Sequence, residues 1–352
     1  MGVIMDLELL KRLSEAPGVA GFEYGVPELI KRELAGAVDR LWEDKFGNLY
    51  AEKGKGEKTL MMTAHTDEIG LVVKHVDEKG FIRFAKLGGI ADHVLLSQRV
   101  FIHGMKRRLP GVIGCKAFHV MKEDERKQLI TYDTMFIDTG ASKEQLKSYG
   151  ITIGTPITLD RQMTALENDL FVGKAMDDRA GCCALVEALR LADPKNRVVC
   201  VFTVQEEVGL RGATMSANAI KPDFGLAIDT TIAGDHPDIS EHESSIKIGK
   251  GPAIVVADGR KDSLQGGLIS NPLLRGWIME VAEKGGIEFQ LEVLEGGTTD
   301  AAAIQLAQVG IPSAAISIPS RYVHSFSEVI SKKDLEESTK LLVRLMEEKI
   351  PV

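Results

Sequence analysis

Apolar positions recur along this chain with two different periods, and the dominant period changes twice. Residues 7–16 and 26–37 space their apolar side chains three and four apart, which predicts two amphipathic helices. A turn at Pro17-Gly18-Val19-Ala20-Gly21 separates them. Short runs at 40–42 and 60–64 predict strands. The second, Leu60-Met61-Met62-Thr63-Ala64, is apolar on both faces and suits a strand buried between two layers. From about residue 71 to 159 the texture becomes β-rich. Leu71-Val72-Val73-Lys74-His75-Val76, Phe81-Ile82-Arg83-Phe84, Val100-Phe101-Ile102-His103 and Met135-Phe136-Ile137-Asp138 read as short strands between glycine-bearing turns. One helix is predicted there, at 142–148, closed by Gly150. Beyond residue 171 helices at 178–191, 271–284, 301–309 and 332–348 alternate with strands at 198–204, 224–228 and 313–318. That alternation predicts the α/β class, a mostly parallel sheet sandwiched by helices. The small β-rich domain is then inserted in it, with residues 1–70 and 161–352 as the two parts of the α/β domain and 71–160 as the insert.

Composition narrows the picture. The 352 residues suit about two domains. Lys and Arg number 43 and Asp and Glu 51, so the formal charge is 43 − 51 = −8, which argues against a nucleic-acid partner. No apolar run approaches the roughly 18–20 residues of a membrane span, so no membrane association is expected. The opening Met1-Gly2-Val3-Ile4-Met5-Asp6 lacks the basic-then-apolar pattern of a secretory signal, and Asp6 stands where myristoylation wants Ser or Thr. Cys115, Cys182, Cys183 and Cys200 include no CxxC pair and sit in apolar surroundings. They read as reduced core residues of a cytoplasmic protein.

The informative polar residues stand where apolar runs stop. The run 60–64 leads into His65-Thr66-Asp67, 198–204 into Gln205-Glu206-Glu207, and 224–228 into Asp229. His324 follows 313–318 within six residues. Met176-Asp177-Asp178-Arg179-Ala180-Gly181 sets two more carboxylates at a helix start. Open α/β sheets bind ligands beyond the carboxyl ends of their strands, so these groups can converge on one crevice. Each has a plainer explanation alone: Asp177 or Asp178 as a helix cap, Glu206-Glu207 as a solvated pair, either histidine as a structural residue. Together they form a donor set of imidazole and carboxylate without sulfur, suited to Zn²⁺, Co²⁺ or Mn²⁺. A paired-metal hydrolase needs such a set, a carboxylate that can bridge two ions, and a further carboxylate outside the metal shell to take a proton.

The runs Ala64-His65-Thr66-Asp67-Glu68-Ile69-Gly70, Met176-Asp177-Asp178-Arg179, Val204-Gln205-Glu206-Glu207-Val208-Gly209, Ile228-Asp229-Thr230 and Arg321-Tyr322-Val323-His324-Ser325 resemble the M42 family of dinuclear metalloaminopeptidases, whose best-known members are the TET peptidases. The resemblance spans essentially the whole chain, including the 17–21 turn and Gly296-Gly297-Thr298-Thr299-Asp300. It implies removal of N-terminal residues from short peptides with two divalent ions per subunit. His65 and Asp229 would hold one ion, Glu207 and His324 the other, and Asp177 would bridge them. Glu206 would be the general base, with Asp67 behind His65 fixing its ring. The resemblance also implies that the inserted domain makes dimer contacts and that dimers build a tetrahedral dodecamer. Gly297, Thr298 and Asp300 could line the pocket for the first side chain, or form a tight turn with Asp300 in the favoured acidic first turn of a helix. Two departures stand out. Thr66 occupies a position where many relatives have Met, and Lys116-Ala117-Phe118-His119 replaces a frequent Pro-Pro-His run, which makes His119 a further candidate for substrate contact. The other histidines, His75, His93, His103, His236 and His242, read as structural or surface residues. Competing readings are a dinuclear carboxypeptidase or deacylase on the same fold, and a metal-independent glycosidase using two of the carboxylates.

Overall fold

The computed structural model describes residues 5–350; the stretch 1–4, part of the segment read above for targeting signals, lies outside the described residues. Eleven strands form one sheet. At its centre Arg197–Thr203, Thr59–His65, Phe224–Ile232 and Ser313–Arg321 lie side by side, each parallel to its neighbour. The sheet is mixed towards its edges: Leu49–Lys53 and Arg40–Glu43 add antiparallel on one side, Glu328–Ser331, Leu170–Gly173 and Thr164–Ala165 on the other. Ala253–Gly259 also joins Ser313–Arg321 antiparallel and carries Gln290–Glu295 parallel outside it.

The central strands are apolar throughout because both faces are covered. Leu60, Met62, Ala64, Val198, Cys200 and Phe202 turn to a large core shared with the helices Leu7–Glu15, Gly25–Leu34, Met176–Leu191, Pro272–Gly285 and Lys332–Glu347. The alternate side chains Met61, Val199 and Val201 turn to a second core with Ala213, Ala217 and Ile304 from the helices Arg211–Ile220 and Asp300–Ile304. Period-2 alternation thus sorts side chains between two layers, each worth roughly 25 cal/mol per Å² of apolar surface buried.

A closed six-stranded barrel lies between the first sheet strands and the rest of the chain in sequence. Its strands run Gly70–Val76, Ile82–Leu87, Phe136–Asp138, Arg108–Gly114, Arg99–His103 and Pro156–Leu159 around the barrel. Its interior is a separate apolar cluster built on Leu71, Ile82, Val100, Ile102, Ile137 and Ile157, which Phe326 joins from the later chain. The helix Lys143–Ser148 forms where it was predicted and begins in a capping box between Ser142 and Gln145.

Several elements differ from expectation. The helix predicted over 301–309 stops at Ile304, and Gln308 takes a positive φ of 55° before the Gly310 turn. The helix Arg211–Ile220 is not foreshadowed by a strong apolar stripe, because it buries only Gly212, Ala213, Ser216 and Ala217. Cys182, Cys183 and Cys200 are buried and free, but Cys115 follows a barrel strand on a partly exposed loop and is not a core residue. No helix among the described residues is long and apolar enough to cross a membrane.

Candidate metal centre

Strand register brings the polar residues together. Thr203 sits opposite His65 at the ends of two parallel strands, so the segment 204–207 emerges beside the histidine. Asp229 lies within the neighbouring strand, His324 on the loop after Ser313–Arg321, and Asp177 and Asp178 at the start of Met176–Leu191. His65, Asp177, Glu206, Glu207, Asp229 and His324 all line one cleft of about 490 Å³.

Within it Asp177 faces two ways. Its Oδ1 is 3.2 Å from His65 Nε2 and its Oδ2 is 3.5 Å from His324 Nε2. His324 Nε2 is 3.6 Å from Glu207 Oε1, and His65 Nε2 is 3.9 Å from both Asp229 Oδ1 and Glu206 Oε2. Two ligands of a tetrahedral ion with bonds near 2.0–2.1 Å stand about 3.4 Å apart, so these separations suit donors sharing a cation. Both rings are tethered on the far side. His65 Nδ1 lies 3.1 Å from the Asp67 carbonyl oxygen, and His324 Nδ1 lies 2.8 Å from that of Gly89, a barrel residue. In a neutral ring each carbonyl accepts from Nδ1–H, which leaves the Nε2 lone pair facing the cleft, as a metal ligand requires.

The surrounding carboxylates hold backbone. Asp67 is fully buried; its Oδ1 accepts from the Glu206 N–H at 2.9 Å and its Oδ2 from the Glu207 N–H at 3.1 Å. Asp67 Oδ1 is also 3.5 Å from His65 Nδ1. Asp178, whose carboxylate lies in reach of His65 and Asp229, has both oxygens committed, accepting from the N–H groups of Gly181 and His65. The cap reading therefore fits Asp178, while Asp177 faces the cleft.

Two glutamates that sequence reasoning missed complete the frame. Glu328 accepts from the Asp177 N–H through Oε2 and from the His324 N–H through Oε1, both at 3.0 Å. Glu23 Oε1 accepts from the N–H groups of Gly21 at 2.7 Å and Gln205 at 3.1 Å, which pins the segment leading into Glu206. An acid directly before the apolar pair Val329-Ile330 was the available signal for Glu328.

Electrostatics follow from crowding acids out of water. Burial, aided by repulsion between the acids and opposed by His65 and His324, pushes the carboxyls of Glu206 and Asp229 well up, and that of Glu207 to about 7. Burial acts the same way on Asp177, but His65 and His324 outweigh it and hold its carboxyl at about 2. Burial opposes a charge on His65, yet Glu206, Asp177 and Asp67 together raise it well above its ordinary value. An environment so rich in negative charge is one that divalent cations stabilise.

The remaining candidates separate. Gly297 and Thr298 line the cleft. Asp300 does not: it starts a helix and turns inward, where Oδ2 accepts from the Thr203 hydroxyl at 2.7 Å, so it supports the floor instead of meeting substrate. His119 lies on the exposed turn Phe118–Val120 and is not part of the cleft lining. His236 leans on Tyr322, ring centroids 5.3 Å apart, outside the same lining.

The chain is similar to known proteins over nearly its whole length. A family profile described as M42 glutamyl aminopeptidase matches residues 47–341. A putative aminopeptidase of Acetivibrio thermocellus is 40% identical over 338 residues, 96% of this chain and 97% of its own. The lysyl aminopeptidase of Pyrococcus furiosus is 35% identical over 355 residues, 99% of each. Among solved structures, the Pyrococcus horikoshii TET1 peptidase, which can assemble into a tetrahedron or a large octahedral shell, superposes with a TM-score of 0.87 at 34% identity, covering 97% of this chain and 99% of its own. Family profile, relatives and fold agree, and the chain belongs to the M42 family of aminopeptidases.

Proposed function

We propose that this aminopeptidase removes the N-terminal residue of short peptides at a centre for two divalent cations, Zn²⁺ or Co²⁺ with Mn²⁺ as an alternative. The observation that carries the reading is Asp177, whose two oxygens face two different histidines. His65 and Asp229 would hold one ion, Glu207 and His324 the other, and Asp177 would serve both. The ions supply Lewis acidity, which polarises a carbonyl and makes water acidic near neutral pH. The chain's own groups do the rest. Glu206 lines the cleft with its backbone fixed by Asp67, and its carboxylate takes a proton from the attacking water. As the water oxygen adds to the carbonyl carbon and the C–N bond breaks, Glu206 returns that proton to the departing amine. Asp67 contributes by orienting His65 and the 206–207 backbone.

Family membership favours this chemistry over a carboxypeptidase, a deacylase or a metal-free glycosidase. The first-residue preference does not carry over, since the family profile and the relatives are named for opposite charges. We further assign residues 71–160 as a domain that makes dimer contacts, and propose a homo-oligomer built from such dimers, a tetrahedral dodecamer in its complete form. Unpaired Cys182, Cys183 and Cys200 support a cytoplasmic setting.

The test is a panel of aminoacyl p-nitroanilides assayed before chelation, after it, and after returning Zn²⁺, Co²⁺ or Mn²⁺. Activity lost to the chelator and recovered with metal, with no cleavage of N-acetylated substrates, is the expected result. Full activity in protein stripped to trace metal would overturn the reading.

A further inference from the structure

The cleft extends from the metal centre to a wall built from Thr231, Ile232, Leu294, Gly297, Thr298 and Val323. Two threonines in this wall are backed by buried acids. Thr231 Oγ1 donates to Glu292 Oε1 at 2.5 Å, and Thr298 Oγ1 donates to Asp258 Oδ1 at 2.7 Å. Asp258 and Glu292 sit on the paired strands Ala253–Gly259 and Gln290–Glu295, exposed by 0% and 5% respectively. Each keeps one carboxylate oxygen, Asp258 Oδ2 and Glu292 Oε2, buried and without any hydrogen-bond partner.

Neither acid lines the cleft itself, so each acts on a guest through its threonine, as an incompletely paired carboxyl close behind the wall. The threonines add direction. A hydroxyl whose proton is committed to the acid behind it can only accept from what lies in front. No Lys or Arg is among the described residues that line the cleft, so a carboxylate brought in by substrate meets no countercharge there. Ile232, Leu294 and Val323 meanwhile offer apolar surface to an alkyl stem.

Resting on the aminopeptidase reading, we infer that the subsite for the first side chain takes a cation, lysine or arginine, selected by the pairs Thr231–Glu292 and Thr298–Asp258. An alkylammonium or guanidinium supplies only donors and a positive charge, matching a wall of acceptors backed by acids. Burial, with Asp258 nearby, raises the Glu292 carboxyl to about 7, and a bound cation draws it back toward ionisation.

The experiment compares lysyl, arginyl, norleucyl and glutamyl p-nitroanilides on the metal-loaded enzyme, norleucine being lysine's chain without its ammonium. Asp258→Asn and Glu292→Gln follow. Each amide keeps the oxygen that accepts from its threonine, and in Asp258→Asn that same oxygen still accepts from the Leu268 N–H, so the wall is preserved. The expected wild-type kcat/KM for lysine exceeds that for norleucine by about tenfold or more, because a site built for donors rejects an analogue lacking them. In each variant that ratio falls severalfold, mainly through KM. Calorimetric titration with free L-lysine and L-norleucine should show the same ranking in binding alone. A panel cleaved best with norleucine or glutamate overturns this inference and leaves the aminopeptidase reading standing. A lysine preference unmoved by both substitutions overturns the assignment to these acids. If no aminoacyl p-nitroanilide is cleaved, the aminopeptidase reading fails, and the inference with it.

Discussion

Glu206 and Glu207 are neighbours in sequence with different tasks, and the difference is set by what surrounds each carboxylate. Glu207 faces His324 at 3.6 Å, whereas Glu206 lies 3.9 Å from His65 and is raised by burial beside Glu207, Asp300 and Asp67. Glu206→Gln should therefore leave metal content unchanged and lower kcat by about a hundredfold or more, the usual loss for a general base. Metal analysis beside steady-state kinetics checks this, and near-normal turnover would remove Glu206 from the mechanism. That these polar residues could meet in one cleft was legible because most of them stand just beyond an apolar run or at a helix start. The double role of Asp67 was only half legible. Its place behind His65 is a local matter of two residues, but its grip on the Glu206 and Glu207 N–H groups joins positions 139 and 140 apart, which no local pattern encodes. Asp300 follows the second of its two readings, the acidic first turn of a helix: next to cleft residues in sequence, it turns to Thr203 in space.

Elements position these residues through a few joints, and the joints can be tested separately. Glu328, on an edge-ward strand, ties the helix start at Asp177 to the loop at His324. Glu328→Gln puts an amide donor against one of those N–H groups, at a cost of about 1–3 kcal/mol. Metal affinity should fall by roughly ten- to a hundredfold, as for other groups that orient ligands. Equilibrium dialysis with metal quantitation reads this directly, and unchanged affinity would make Glu328 structural only. A second joint connects the loops after Asp229 and before His324: Arg321 donates to both oxygens of Asp235, at 2.9 and 2.7 Å. Burial opposes the Asp235 charge, but Arg321 outweighs it and holds the carboxyl below its ordinary 3.8. A depressed carboxyl stabilises the fold above its unfolded value and loses that contribution as pH falls through the folded value. Asp235→Ala should cost about 1–2 kcal/mol in urea unfolding at about pH 6–8, with the gap to wild type closing below about pH 4. A gap that widened in acid would contradict the ion pair. The central strands and long helices were legible from their periods. Arg211–Ile220 was not, since it buries small residues, nor were Ala253–Gly259 and Gln290–Glu295, which complete the wall behind the cleft.

At the scale of the molecule the chain divides its apolar residues between the helix-covered sheet and the barrel, and the candidate metal centre lies where the two meet. The β-rich texture of 71–159 was readable. Closure of its strands into a barrel was not, because pairings such as Val100 with Leu159 span most of the segment. All five proposed ligands come from the sheet and its helix, while the barrel contributes the Gly89 carbonyl that tethers His324. Cations bound only by the folded state stabilise it by mass action, about 2.7 kcal/mol at a hundred times Kd. Chelation should thus lower Tm, and Zn²⁺ or Co²⁺ should restore it. The loss should also be local. Without cations the clustered carboxylates repel, so amide exchange should rise first at 65–68, 176–181, 205–210 and 321–328. Barrel strands such as Gly70–Val76 and Arg99–His103, closed on their own core, should keep their protection until Gly89 is released. Hydrogen exchange with and without chelator measures this order. Barrel amides that exchanged together with the ligand segments would show one cooperative unit spanning both cores, and barrel amides that opened first would reverse the predicted order.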